Sequence, residues 1–367
     1  MTGFLTKLTS ASVCIASALA ACSVEGQNLD SNDKSYPRSS GNVIFRLGYN
    51  GFYDSDAPRI ETNDIFLQMI ASPELSLTKR LSIRSEFRIE DLRPPMGDRF
   101  FEDEGFFVRS LYLQHSVGER LAFHAGKFTP SYALASLVTP GMYGNDYNKE
   151  IELIERVGFG GSYTYDSGSS GKHKLSVSTF FDDTSFLSDS LGSSPTRGPK
   201  RLSDGGASNT ESFESFTVSL EGTEMSGLPG LTYKFGVVHE AKGEGDISDE
   251  TGLAAAAMQT FQFGNGRSLT LMGEFAPLWN FEGSADDIIY SSAGVVYQSG
   301  RWTFIVSGTH RWRDLATGGS LDDYSLQTSV EYDLRNDFAL AFAHEFTRDQ
   351  NVNANRIGFR FVKVFDW

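Results

Sequence analysis

Cysteine is almost absent. Cys14 and Cys22 are the only two in 367 residues, and both lie at the very start. At most one would outlast removal of a leader, so no intrachain disulfide is expected, nor a zinc site built on cysteine. Histidine is sparse too. His115, His124, His173, His239, His310 and His344 are scattered, and no two stand at ligand spacing. Basic charge is in deficit, with a formal net charge of −15. That excludes nucleic acid, which requires a basic face. Beyond the first residues no apolar run is long enough for a transmembrane helix. No stretch shows the 3.6-residue period of an amphipathic helix. There is no G-x-S-x-G and no convincing acid–histidine pair, so neither an enzyme nor a bound metal or cofactor is expected.

The opening segment, MTGFLTKLTSASVCIASALAACS, has Lys7 and then an apolar, small-residue run. It reads as a secretory signal over residues 1–21, too short to span a bilayer. Two processing sites fit, with cleavage near 20–22. Ala18 and Ala20 form an A-x-A site. Leu19, Ala20, Ala21 and Cys22 resemble a bacterial lipobox, which would place a lipid on Cys22. Residues 22–41 are polar and turn-rich and read as a linker.

Two residue types are abundant, Phe (29) and Gly (37), although apolar content is moderate. From residue 42 to 367 the pattern is period two. In LSIRSEFRIE, Leu81, Ile83, Phe87 and Ile89 alternate with Arg84, Glu86, Arg88 and Glu90. In LTYKFGVVHE, Leu231, Tyr233, Phe235 and Val237 alternate with Thr232, Lys234 and Gly236. Phase is ambiguous over 106–117, 121–128 and 251–263. Short connections alternate with long ones, the latter at 54–62, 91–104, 129–156, 182–210, 241–250, 280–287, 314–322 and 347–355. Short turns on one rim and long loops on the other predict an all-β fold. It is a closed antiparallel transmembrane β-barrel of about sixteen strands, with periplasmic turns and extracellular loops. Aromatics such as Tyr163, Tyr297, Trp302 and Tyr332 flank the short turns, as an interfacial girdle would.

The chain ends RIGFRFVKVFDW. Ile357, Phe359, Phe361, Phe365 and Trp367 share one face, and Arg356 and Arg360 share the other. Hydrocarbon cannot satisfy backbone groups, so such a last strand must pair with the first. Lys363 interrupts the apolar face near the strand end, where it could snorkel to the interface. The terminal aromatics Phe365 and Trp367 resemble the assembly signal of Gram-negative outer-membrane proteins, which implies the barrel-assembly machinery as a partner.

Over nearly the whole mature length the chain resembles the sixteen-stranded outer-membrane porins. The stretch LYLQHSVGERLAFHAGKFTPSYALAS, Leu111 to Ser136, resembles the phosphate-selective porin O and P family around its G-K/Q-F-x-P motif. That family needs dense lumen rows of Arg and Lys. Here glutamates such as Glu86 and Glu90 interleave with the arginines, against phosphate specificity. The resemblance implies outer-membrane localisation, contact with lipid and lipopolysaccharide, and a homotrimer.

About sixteen strands leave an aqueous lumen. The favoured function is a passive diffusion channel for small hydrophilic solutes or ions. A structural or adhesive barrel and a barrel enzyme are the alternatives. Loop 129–156 follows the fifth strand, the position from which such porins fold a loop inward. Its acids Asp146, Glu150, Glu152 and Glu155 are expected to face Arg46, Arg84, Arg88 and Arg360 across a constriction.

Overall fold

Strands built on this alternation close into one continuous sheet. The computed structural model describes residues 35–193 and 196–367. The leader and Cys22 lie outside the described residues. Of seventeen strands in the sheet one, Arg99–Phe100, has two residues; the other sixteen form the barrel. The first four are β1 (Arg38–Tyr53), β2 (Asn63–Ser76), β3 (Leu81–Asp91) and β4 (Glu104–Val117). Next come β5 (Leu121–Phe128), β6 (Arg156–Asp166), β7 (Lys172–Asp182) and β8 (Ser215–Thr223). The third quarter is β9 (Leu231–Glu240), β10 (Glu250–Gly264), β11 (Arg267–Trp279) and β12 (Asp287–Ser299). The last are β13 (Trp302–Asp314), β14 (Ser320–Asp333), β15 (Phe338–Asp349) and β16 (Val352–Asp366).

Each barrel strand pairs antiparallel with its sequence neighbours, and β1 closes the ring against β16, from Asn42 opposite Asp366 to Tyr53 opposite Asn355. The closure reaches further at the backbone. Gly41 N–H donates to the Trp367 carbonyl and Trp367 N–H to the Gly41 carbonyl, and the Trp367 indole donates to Ser39 Oγ at 3.1 Å. Residues 38–41, read as the end of the linker, therefore belong to β1 and also pair with β2. They carry no apolar alternation because the sheet there has passed the bilayer edge, where lipid no longer imposes a pattern. Lys363 reaches the β14–β15 turn, donating to the Asn336 carbonyl and lying 3.8 Å from the Asp337 carboxylate. That is the snorkelling geometry: stem along lipid, charge at the interface.

The outer surface carries the apolar belt. Leu113, Phe159, Phe235, Leu271, Phe304 and Phe342 are each exposed there. Toward the short turns the belt ends in Tyr163, Tyr297, Trp302, Phe365 and Trp367, with the Trp302 and Tyr332 rings 4.5 Å apart. Such a girdle suits rings whose bodies are apolar and whose edges are polar.

Three stretches of ambiguous phase have physical causes. Between β3 and β4 the partners jump from Phe87–Val108 to Glu86–Ser110, leaving Arg109 as an extra residue. This β-bulge flips the inward face midway along β4. Phe107 and Arg109 point in on one side of it; on the other, Leu111 and Leu113 are exposed outside. In β5, Gly126 has φ +135°, and the Lys127 beyond it is buried. In β10 alanines occupy both faces; Ala254, Ala256 and Met258 point in, while Leu253 points out.

One expected long loop is missing. Residues 347–355 are mostly strand: β15 runs to Asp349 and β16 starts at Val352. Gln350 and Asn351 have φ 48° and 65°, as a tight two-residue hairpin turn requires. The connection at 314–322 is likewise shorter, because β13 and β14 extend to Asp314 and Ser320. The polar residues that suggested loops are strand ends beyond the membrane.

Candidate permeation pathway

Loop 129–155 lies inside the barrel. Its residues were selected for burial: Tyr132, Leu134, Ala135, Val138, Met142, Tyr143, Tyr147, Ile151 and Leu153 are all buried although no strand contains them. A single helical turn, Ala135–Val138, packs with Leu134 on Ala256, Met258 and Met272 of the wall. Tyr132, Ile151 and Leu153 join Phe180, Val238, Leu278, Ile288 and Tyr290 in one apolar cluster. The lumen along β7–β12 is therefore filled.

The wall makes room for the loop by omitting side chains. Gly236 lies under the Tyr132 carbonyl, Gly294 under Pro140, and Gly358 under Tyr143. A Cβ on Gly294 would meet Pro140 Cδ at 2.7 Å, and one on Gly358 would collide with the Tyr143 hydroxyl. Ala341 and Ala343 flank the tip at Met142 and Tyr143.

Polar contacts fix the register of the loop. Glu274 Oε2 accepts the Leu134 and Ala135 N–H groups at 2.6 and 2.9 Å. The Pro140 carbonyl accepts from Ser307 Oγ at 2.7 Å and Gln327 Nε2 at 2.6 Å. Tyr143 Oη donates to Asn50 at 2.8 Å, and Asn148 bridges Ser292 and Thr309. The loop thus runs from β11 past β12, β13 and β14 to β1.

Its acids do not face the four arginines as expected. Asp146 pairs with Arg356, which also binds Glu345. Glu150 binds Arg311 at 2.6 Å and accepts from the Tyr290 hydroxyl. Glu152 binds Arg109 at 2.7 Å, though its charge also acts on Arg88. Glu155 sits at the loop's end, between Lys127 at 2.7 Å and Arg197 at 2.6 Å. Folding the loop inward makes these pairs, because a buried carboxylate requires a cation or several donors. Burial works to raise the Asp146 carboxyl, but Lys149 and Arg356 outweigh it and hold the group below the ordinary carboxylate range. Burial drives the Tyr143 phenol well above its usual range, with Arg356 and Arg360 opposing.

The inward fold of the loop also leaves the upper part of β4, paired with β3 on one edge, without a strand on its other edge, since β5 pairs only from Leu111 onward. Loop 183–214 covers that edge. Leu191 N–H donates to the Phe106 carbonyl at 2.8 Å, Ser193 Oγ accepts from Phe106 N–H at 3.1 Å, and the Arg197 guanidinium lies 4.4 Å from the Phe107 ring centroid.

Along β1–β3 and β16 the inward charged side chains stay partly exposed. Here Arg46 donates to Gln68 at 2.7 Å, and Gln68 in turn donates to Glu90. Arg88 lies between Glu86 at 2.6 Å and Glu90 at 3.5 Å. Arg84 pairs with Glu74 at 3.1 Å. Arg360 stands opposite Gly48 and has no carboxylate at ion-pair distance among the described residues. In the loop, Lys149 pairs with Asp146 at 3.1 Å, and its side chain is 65% exposed. Sequence reasoning overlooked Lys149 and gave Glu274, Arg311, Arg356 and the wall glycines no part in holding the loop. The one legible signal was glycine and alanine at lumen-facing strand positions, where polar side chains are otherwise the rule.

No protein-family model matches the chain, and no curated protein matches it. Solved structures do share its architecture. OprB of Pseudomonas putida superposes with a TM-score of 0.62 at 12% identity, over 89% of this chain and 94% of that one. The outer membrane channel DcaP of Acinetobacter baumannii gives 0.58 at 13% identity, over 91% and 99%. A loop L8 deletion mutant of OmpT, an outer membrane protein of Vibrio cholerae, gives 0.55 at 12%, over 90% and 100%. The likeness does not single out the phosphate-selective O and P family. It is one of fold: the chain shares the closed antiparallel sixteen-stranded barrel of these outer-membrane proteins.

Proposed function

We propose that this protein is a passive diffusion channel of the outer membrane for small hydrophilic solutes. One observation carries the reading. Loop 129–155 is pinned along one side of the lumen and leaves a charged, partly exposed wall on the other. A barrel whose role was only structural has no need to keep guanidiniums and carboxylates on an open inner face. In this reading Arg46, Arg84, Arg88 and Arg360 line the passage. Asp146, Glu150, Glu152 and Glu155 serve chiefly to hold the loop that narrows it. A homotrimer, implied by the resemblance, belongs to the same proposal and is read from a native gel of the unheated protein.

The decisive measurement is conductance of the purified, refolded protein in a planar bilayer. Discrete, ohmic steps are expected. A membrane that stays silent while the protein is shown by heat-modifiable migration to be folded would remove the channel reading and favour a structural barrel.

A further inference from the structure

The chain carries a formal net charge of −15, yet its short-turn rim is rich in cations. An exposed one stands at six of the seven short turns: Arg80, Arg120, Lys172, Arg267, Arg301 and Arg335. Lys172 is engaged by Glu224 at 2.7 Å. Arg267, Arg301 and Arg335 have no carboxylate at ion-pair distance among the described residues. These three belong to consecutive turns, and the backbone ties the turns together. Gly300 N–H donates to the Gly266 carbonyl at 3.1 Å, and Asp333 N–H to the Arg301 carbonyl at 2.9 Å. Of the acids on this edge, Asp337 stands 3.8 Å from Lys363. Asp333 shares the inward-facing phase of Gln327 on β14.

Above these turns the lipid-facing wall is indented. The register sets Trp302, Tyr332 and Leu340 side by side in one outward row, and Phe304, Val330, Phe342 and Phe359 in the next. Val330 is the small side chain between two phenylalanines. With Leu340 it floors a groove of about 270 Å³, walled by Trp302, Tyr332, Phe342 and Phe359. That is less than the roughly 300–1,000 Å³ of a pocket for a compact ligand, and suits a length of hydrocarbon chain. At the groove's turn-side edge the Trp302 and Tyr332 rings lie 4.5 Å apart. Neither the indole N–H nor the phenol has a hydrogen-bond partner among the described residues. Down the wall the order is thus apolar groove, two free donors, unpaired guanidiniums. The groups of a phospholipid run in the same order: acyl chain, ester carbonyls, phosphodiester.

We propose that β13–β15 and the turns beneath them seat one phospholipid of the periplasmic leaflet. Arg301 and Arg335 take its phosphate, Trp302 and Tyr332 donate to its ester oxygens, and an acyl chain lies over Val330 and Leu340. The site is on the outside of the barrel and is independent of the channel reading.

The test is native mass spectrometry of the full refolded protein in a non-ionic detergent, titrated with phosphatidylglycerol. One lipid per chain should bind saturably. Diacylglycerol with the same chains should bind more weakly, and inorganic phosphate should not displace the lipid. Arg301→Gln and Arg335→Gln should each weaken binding by about fivefold, the worth of one basic residue at an anionic lipid surface. Val330→Phe should block binding with both arginines in place. All three positions lie on the outer wall or an exposed turn, and heat-modifiable migration verifies that each variant is folded. Binding that never saturates, or that is equal in the wild type and the folded variants, is annular lipid only and overturns the proposal. Lipid that stays on Val330→Phe while an oligomer dissociates would assign the groove to a second copy of the chain, and the proposal would fall.

Discussion

Glu274 of β11 accepts the Leu134 N–H at 2.6 Å, joining the barrel wall to the residue that precedes the loop's helical turn. The same oxygen takes the Ala135 N–H at 2.9 Å. One carboxylate thus satisfies two orphan donors at a helix start, where negative charge is favoured. Glu274→Ala should release this end of the loop. Each charge-assisted bond is worth roughly 1.5–3 kcal/mol, so the loop should move on the timescale of conduction. Open-channel current noise is expected to rise, with unchanged migration of the folded barrel. Quiet traces from the variant would show that the apolar cluster alone holds the loop.

Gly358 has no side chain because Tyr143 occupies the place of one. Gly358→Val should push the loop tip off β16, at a cost of about 1–3 kcal/mol as for other overpacked sites. The Tyr143–Asn50 bond, 2.8 Å in the native structure, would be lost with it. A larger single-channel conductance is expected. Tyr143→Ala in the same background should recover native-like stability, because it removes the colliding group. Failure of that second substitution to rescue would indicate that β16 itself is damaged.

Acid should leave the loop in place until far below neutrality. The Asp146 carboxyl is held below its ordinary range by Lys149 and Arg356 against the opposing effect of burial. A depressed carboxyl contributes stability that is complete above its unfolded value, about 3.9, and is lost as pH falls through the lower folded value. Current noise should therefore be flat from pH 8 to about pH 5 and rise only in strong acid. Asp146→Asn should be noisier at every pH in that range. A wild-type transition near pH 6 would point to another titrating group.

Removal of Trp367 should reduce the amount of folded protein in the membrane more than it alters conduction. The residue pairs with Gly41 at the backbone and with Ser39 through its indole, at the short-turn end of the β1–β16 seam, where the strands end. Folded yield by heat-modifiable migration is expected to fall, while the channels that do form keep wild-type conductance. A normal yield would reduce Trp367 to ordinary lipid-facing packing.

Orientation can be checked on intact cells. A cysteine placed in loop 183–214, for example at Ser203, should react with an impermeant label, and one at Ser299 beside the β12–β13 turn should not. The opposite pattern would invert the barrel in the membrane.

The barrel itself was written in the sequence. Alternation of period two, aromatics beside short turns and an amphipathic last strand all follow from local contact with lipid on one face and water on the other. Each residue answers to that boundary directly, so a linear reading recovers the face of Phe235 or Phe359 without knowing its neighbours. The reading failed where geometry broke the period: the bulge at Arg109, the bend at Gly126, and the strand ends at 347–355 that stand beyond the bilayer. The pathway was decided by tertiary structure alone. Asp146, Glu150 and Glu152 look like a pore-facing acidic row until Arg356, Arg311 and Arg109, hundreds or tens of residues away, are brought against them. Which charge faces water and which is spent in a contact pair depends on distances of a few ångströms between strands, and spacing along the chain does not contain them.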